Sequence, residues 1–181
     1  MDDNIKYLFD ELRNLSLQTF RDHSDKASID FVADVPLEGK SWRAVIFIGG
    51  DGFQSMFAVN FNTISLLGMA SKCFADVAEA SYSKYVKDFM REYCNQVAGK
   101  IKAAFEKKGM AYISLPMISR EYDAQTLFNN DNLSHDTWSF GEHTSAVKID
   151  FYFSATQDFS DFDFVKEHFS NKESTQEIEF F

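Results

Sequence analysis

Residues 81–108 repeat their apolar side chains at helical spacing, and Gly109 supplies a stop just beyond them. At about one hundred degrees per residue, Val86, Met90, Tyr93, Val97, Ile101 and Ala104 gather on one side, the stripe to be buried. Asp88, Glu92, Asn95, Gly99, Lys102 and Glu106 gather on the other, a narrow polar stripe facing away from the core. A helix of this length needs a broad apolar surface to lie on, and the rest of the chain offers one.

Ile5, Leu8, Phe9, Leu12, Leu15 and Phe20 predict a first helix over residues 4–21, with Asp2 and Asp3 at its positive end. Ile29, Phe31, Ala33 and Val35 alternate as a strand does. Residues 42–48 read as a second strand, Gly49-Gly50-Asp51-Gly52 as a hairpin turn, and residues 53–61 as the returning strand. Asn62 or Thr63 can cap a short helix to about residue 74. Residues 110–118 predict a strand interrupted by Pro116, and residues 120–140 read as polar and irregular. Residues 142–155 alternate, with Val147, Ile149, Phe151 and Phe153 on one side. From about residue 157 the expectation is a short helix over 161–169 and a loose acidic tail. No linker divides the 181 residues, so the prediction is one α+β domain: a mostly antiparallel sheet with helices packed on it.

Composition closes several function classes. The net charge of −10 disfavours a nucleic-acid backbone and the anionic face of a membrane alike. No apolar run is long enough to span a bilayer, and the acidic start lacks the features of a signal peptide, so a cytoplasmic location is expected. Two cysteines, Cys73 and Cys94, make no disulfide framework. The 20 phenylalanines are for the most part core and sheet packing.

The outward stripe of the long helix carries the functional signal. Asn95 is a mediocre helix former, and an interior glycine costs about 1 kcal/mol against alanine. Gly99 points outward, so packing against the chain's own core does not account for it. A glycine there lets a partner's backbone come close. The pair Glu92-x-x-Asn95 alone is a weak signal, since Glu11-x-x-Asn14 repeats it on the first helix.

At these residues the chain resembles the CheX and CheC phosphatases of bacterial chemotaxis. Glu92-Tyr93-Cys94-Asn95-Gln96-Val97-Ala98-Gly99 looks like that family's signature helix, with Asp88 four residues ahead of Glu92 and Pro116 in a strand downstream. Pro116 arrives slightly early for the family pattern, and Glu121 stands near the place of its usual following glycine. Residues 64–70, with Gly68, are similar to the family's shorter helix.

The resemblance implies a CheC-like fold in which two long helices, the first among them, pack on one face of the sheet. It implies a phosphatase that removes the aspartyl phosphate of a CheY-like receiver domain. Asn95 would orient the attacking water, and Glu92 would pair with the receiver's lysine. Asp88 and Gly99 would lie in the docking surface. The Mg²⁺ would belong to the receiver, with no cofactor or metal on this chain, and a homodimer is expected. A CheC-like second site would use Glu11 and Asn14, although Tyr7 and Gln18 replace the flanking Asp and Gly. The competing reading is a non-catalytic CheX-like module that binds a receiver or another signalling protein.

Other candidates are weaker. His135-Asp136 and Glu142-His143 could approach one another, but no metal-ligand spacing accompanies them or His23 and His168. Cys94 lacks a cationic neighbour and reads as a partly buried structural thiol.

Overall fold

The computed structural model describes residues 3–33, 41–107, 109–120, 133–142 and 145–155. Helix α1 (Asp3–Ser24) buries Leu8, Phe9, Leu12, Leu17 and Phe20, as its periodicity requires. A short strand β1 (Asp30–Val32) follows within the alternating run, whose end at Val35 lies outside the described residues. Strands β2 (Trp42–Gly50) and β3 (Phe53–Phe61) form the expected hairpin, in register from Trp42 opposite Phe61 to Gly50 opposite Phe53. The turn itself is only Asp51-Gly52, with Gly52 at φ 83°, a left-handed conformation that favours glycine. Gly49 and Gly50 belong to β2 instead. A Cβ on Gly50 would lie 2.5 Å from the Met110 carbonyl oxygen, so the neighbouring chain can approach only a glycine.

Helix α2 (Thr63–Met69) starts where Asn62 accepts a hydrogen bond from the Ser65 N–H at 2.7 Å. It ends earlier than its sequence suggests, and a 3₁₀ turn (Ser71–Phe74) finishes the segment. Helix α3 (Tyr82–Phe105) is the long one, and all six residues of the apolar stripe are buried. Pro116 splits the next strand into β4 (Ala111–Ile113) and β5 (Met117–Ser119), both paired with β2. Ser114 repairs the gap: its N–H donates to the Phe47 carbonyl at 2.9 Å, and its hydroxyl accepts from the Phe47 N–H at 3.0 Å.

The stretch read as irregular contains a strand. β6 (Ser134–Glu142) pairs along its whole length with β7 (Ser145–Ala155). Its apolar signal is confined to Trp138 and Phe140. The preceding residue on that face, Asp136, is instead held by Arg13 of α1, whose Nε and Nη2 donate to the two carboxylate oxygens at 2.9 Å each.

Among the described residues the sheet has the order β1-β6-β7-β3-β2-β4, with β5 also on β2, and every pairing is antiparallel. The helices cover one face. α3 lies over β2, β3, β4 and β5, α2 over β7, and α1 beside α3 over β6. The main core fills this layer. On the other face Val45, Met56, Ala58 and Tyr152 form a smaller buried group. The expected helix and tail after residue 157 lie outside the described residues. Among the described residues no helix is long and apolar enough to cross a membrane.

Candidate functional site

The rotation of α3 about its axis decides which residues face outward, and Tyr93 sets it. Its ring is wholly buried, 5.2 Å from Phe20, 6.1 Å from Phe57 and 6.4 Å from Phe140 between centroids. Its hydroxyl donates to the Ser16 carbonyl of α1 at 3.0 Å, while burial pushes the phenol's proton affinity up. One turn or two along, Lys100 donates to the Thr19 hydroxyl at 2.8 Å. At the other end the Lys87 ammonium stands 3.6 Å over the Trp42 ring of β2.

With Tyr93 and Val97 locked inward, Asp88, Glu92, Asn95 and Gly99 share the outer face. Asp88 and Glu92 are exposed; Asn95 and Gly99 are half-buried. Asn95, one turn from Glu92, has no hydrogen-bond partner among the described residues, so its carboxamide keeps both a donor and an acceptor to offer. Among the described residues nothing stands within 4 Å of where a Gly99 Cβ would be, so none of them needs a glycine there. Asp88 is engaged, accepting from Arg91 at 2.6 Å. Cys94 points the opposite way. It is fully rather than partly buried, and burial pushes its thiol far up, which removes it as a nucleophile.

No family model matches the sequence, and no curated protein sequence matches it significantly. Solved structures do match. A CheC-like superfamily protein from Shewanella sp. PV-4 superposes with TM-score 0.57 at 14% identity, over 81% of this chain and 97% of the other. A structure of the CheX–CheY–BeF₃–Mg²⁺ complex from Borrelia burgdorferi contains a chain that matches with TM-score 0.57 at 12% identity, over 81% and 97%. The FliM–SpeE complex from H. pylori contributes a third, with TM-score 0.51 at 11% identity, over 99% of both chains.

The chain has the CheC-like fold.

Within this CheC-like fold the other sequence candidates separate. On α1, Asn14 is exposed and Glu11 half-buried. Asn14 borders a groove of about 660 Å³ lined also by Asp10, Arg13, Phe31 and Trp138, apart from the α3 stripe. The described members of the histidine–acid pairs take separate partners. His135 stacks on Tyr152 at 4.1 Å on the helix-free face, Asp136 turns to Arg13, and Glu142 pairs with Lys26. Among the described residues no cluster of His, Cys, Asp or Glu is arranged to hold a metal; His143 and His168 lie outside them.

Two residues beside the outer face of α3 have roles that a reading of the sequence misses. His23, in the last turn of α1, reaches α3, where its Nε2 lies 3.1 Å from the Phe89 carbonyl oxygen. Its Nδ1 is 3.3 Å from Gln96 Nε2, which is itself 3.3 Å from Glu92 Oε1. Gln96 lies within the 92–99 segment that carries the resemblance. Nothing local signals its partner 73 positions away.

Proposed function

We propose that this chain is a phosphatase for the aspartyl phosphate of a response-regulator receiver domain. The observation that carries the reading is the α3 face left open by the described residues, where the Asn95 carboxamide, without a partner among them, sits one turn from the Glu92 carboxylate. An aspartyl phosphate is a mixed anhydride, and its hydrolysis lacks only a water held in line. Phosphoryl transfer asks the protein for positioning more than for covalent work.

Asn95 suits that task, because its oxygen accepts from the water and its nitrogen donates. The water oxygen bonds to phosphorus as the bond to the aspartyl oxygen breaks. The products are a free carboxylate and inorganic phosphate, with the water's proton released to solvent. Glu92 pairs with the receiver's lysine and fixes the register of the two proteins. The clear space at Gly99 admits a partner's backbone, and Asp88 with Arg91 lies at the rim. The Mg²⁺ this chemistry uses is the receiver's. On the same reading the protein is a homodimer with one Glu92–Asn95 pair per subunit, and its location is cytoplasmic.

The test is the decay of acyl phosphate on each receiver domain of the source organism, with wild-type protein, Asn95→Ala and Glu92→Ala. Wild type should speed the decay on one receiver. Losing the Asn95 amide should slow that acceleration by about 10²-fold, roughly 2.7 kcal/mol of barrier. The early Pro116 and the net charge of −10 support a second reading, a non-catalytic binding module. Such a module would bind a receiver or another signalling protein equally well after Asn95→Ala and never change the phosphate's lifetime.

A further inference from the structure

We infer that Gln96 is a positioning residue for Glu92, held in place in turn by His23 from the neighbouring helix. The inference deepens the phosphatase reading and rests on it for its consequence. The geometry is a directed chain. His23 lies against Phe89, with ring centroids 4.1 Å apart, and is half-buried. Its Nε2–H donates to the Phe89 carbonyl, which leaves Nδ1 as an acceptor. The Gln96 amide carries two hydrogens on one nitrogen. One is directed to His23 Nδ1, and the other to Glu92 Oε1. Among the described residues Gln96 is the hydrogen-bond partner of Glu92.

A glutamate and a glutamine one turn apart on an exposed helix face would ordinarily sample many rotamers. Here the glutamine is fastened at its far end to a ring packed between two helices. Glu92 therefore meets a partner's ammonium with part of its side-chain ordering already complete.

The chain works in only one protonation state. A proton on His23 Nδ1 turns the acceptor into a donor facing the Gln96 N–H. Gln96 must then rotate its carbonyl oxygen to the ring, and that oxygen cannot donate to Glu92. Among the described residues the titratable groups around the ring are few. Glu92 of α3 is the charge whose field reaches it, favouring the proton, against the larger opposing effect of burial. The Tyr93 hydroxyl is turned away to Ser16, and the Cys73 thiol donates to the His23 backbone carbonyl. Lys72 pairs with Asp25, and on α1 itself Asp22 accepts from Gln18 and Arg21 pairs with Asp30.

The experiment uses the full chain and the receiver panel above. Gln96→Leu should raise KM about fivefold for the responsive phosphorylated receiver and leave kcat nearly unchanged. In a Glu92→Ala background the same substitution should add nothing, because the group it positions is gone. Lowering the pH through the His23 titration should weaken wild type toward Gln96→Leu and leave Gln96→Leu itself flat. Equal losses from Gln96→Leu in both backgrounds would overturn the inference. A second arm needs no receiver: the His23 ring is titrated by NMR in wild type, Glu92→Gln and Gln96→Leu. The network requires the Nε2–H tautomer at neutral pH and a titration midpoint that moves in both variants. A midpoint indifferent to Gln96 sinks it. If wild type accelerates no receiver, the phosphatase reading falls, and this titration alone decides whether the chain of hydrogen bonds exists.

Discussion

A single hydrogen at Gly99 separates two opposing effects. Its backbone is helical and its surroundings are open to 4 Å, so alanine fits without strain. Gly99→Ala should therefore stabilise the isolated protein by about 1 kcal/mol, the ordinary difference in helix propensity. The same methyl would stand in the face proposed for docking. A urea titration alongside receiver affinity reads both, and a variant that is more stable and binds as well as wild type would remove Gly99 from the interface. The cysteines make a second residue-scale contrast. Cys73 is exposed and Cys94 wholly buried with its thiol pushed far up. In the native protein a maleimide should modify Cys73 alone, slowly at neutral pH because partial burial and the Asp25 carboxylate raise that thiol too. Mass spectrometry of the labelled peptides checks this, and native labelling at Cys94 would contradict the packing of α3. At this scale the sequence shows Asp88, Glu92, Asn95 and Gly99 as one face, since helix geometry alone puts them there. The contact between His23 and Gln96 is invisible until α1 and α3 are laid side by side.

Elements were legible where the side chains on their core face were all apolar. The β2–β3 hairpin and the α3 stripe follow directly from period and turn chemistry. β6 does not, because its core face alternates Trp138 and Phe140 with a carboxylate, Asp136, whose solvent is replaced by Arg13 from α1. The opposite face of β6 carries His135, Thr137 and Ser139, and its polar groups are satisfied in part by Asp150 of β7, to which Thr137 donates at 2.9 Å. A strand stabilised by partners in other elements loses its signature in one dimension. The Arg13–Asp136 contact thus ties α1 to the sheet. Arg13 is 38% exposed in its side chain and Asp136 17%, so solvent screens part of the attraction. The coupling energy from a cycle of Arg13→Ala, Asp136→Ala and the double variant should come out at about 1 kcal/mol. A value near zero would mean that α1 is seated by its apolar face alone.

For the whole molecule, acid acts through two opposed effects. The chain carries a net charge of −10, and protonating carboxylates below neutrality relieves its self-repulsion. His23 works the other way. Burial, more than any other influence, lowers its pKa beneath the ordinary 6.5, although the Phe89 carbonyl and Glu92 restore part of the shift. The unfolded chain therefore takes up a proton at a higher pH than the folded one. Between 6.5 and the lowered folded value, unfolding binds a proton, so stability falls as pH falls through that window and levels off beneath it. Above 6.5 the ring is neutral in both states and has no pH-dependent part to play. The general charge effect and the His23 effect overlap in wild type, but only one survives in His23→Gln. The stability difference between the two proteins isolates the other. Urea unfolding at about pH 7.5, 6.5 and 5.5 should show that difference shrinking as the pH drops, because wild type loses what the variant never had. A difference that stays constant across the three would mean that His23 binds its proton equally in both states. The α1–α3 junction would then be open to water where the fold closes it, and Gln96 would have no fixed partner behind it.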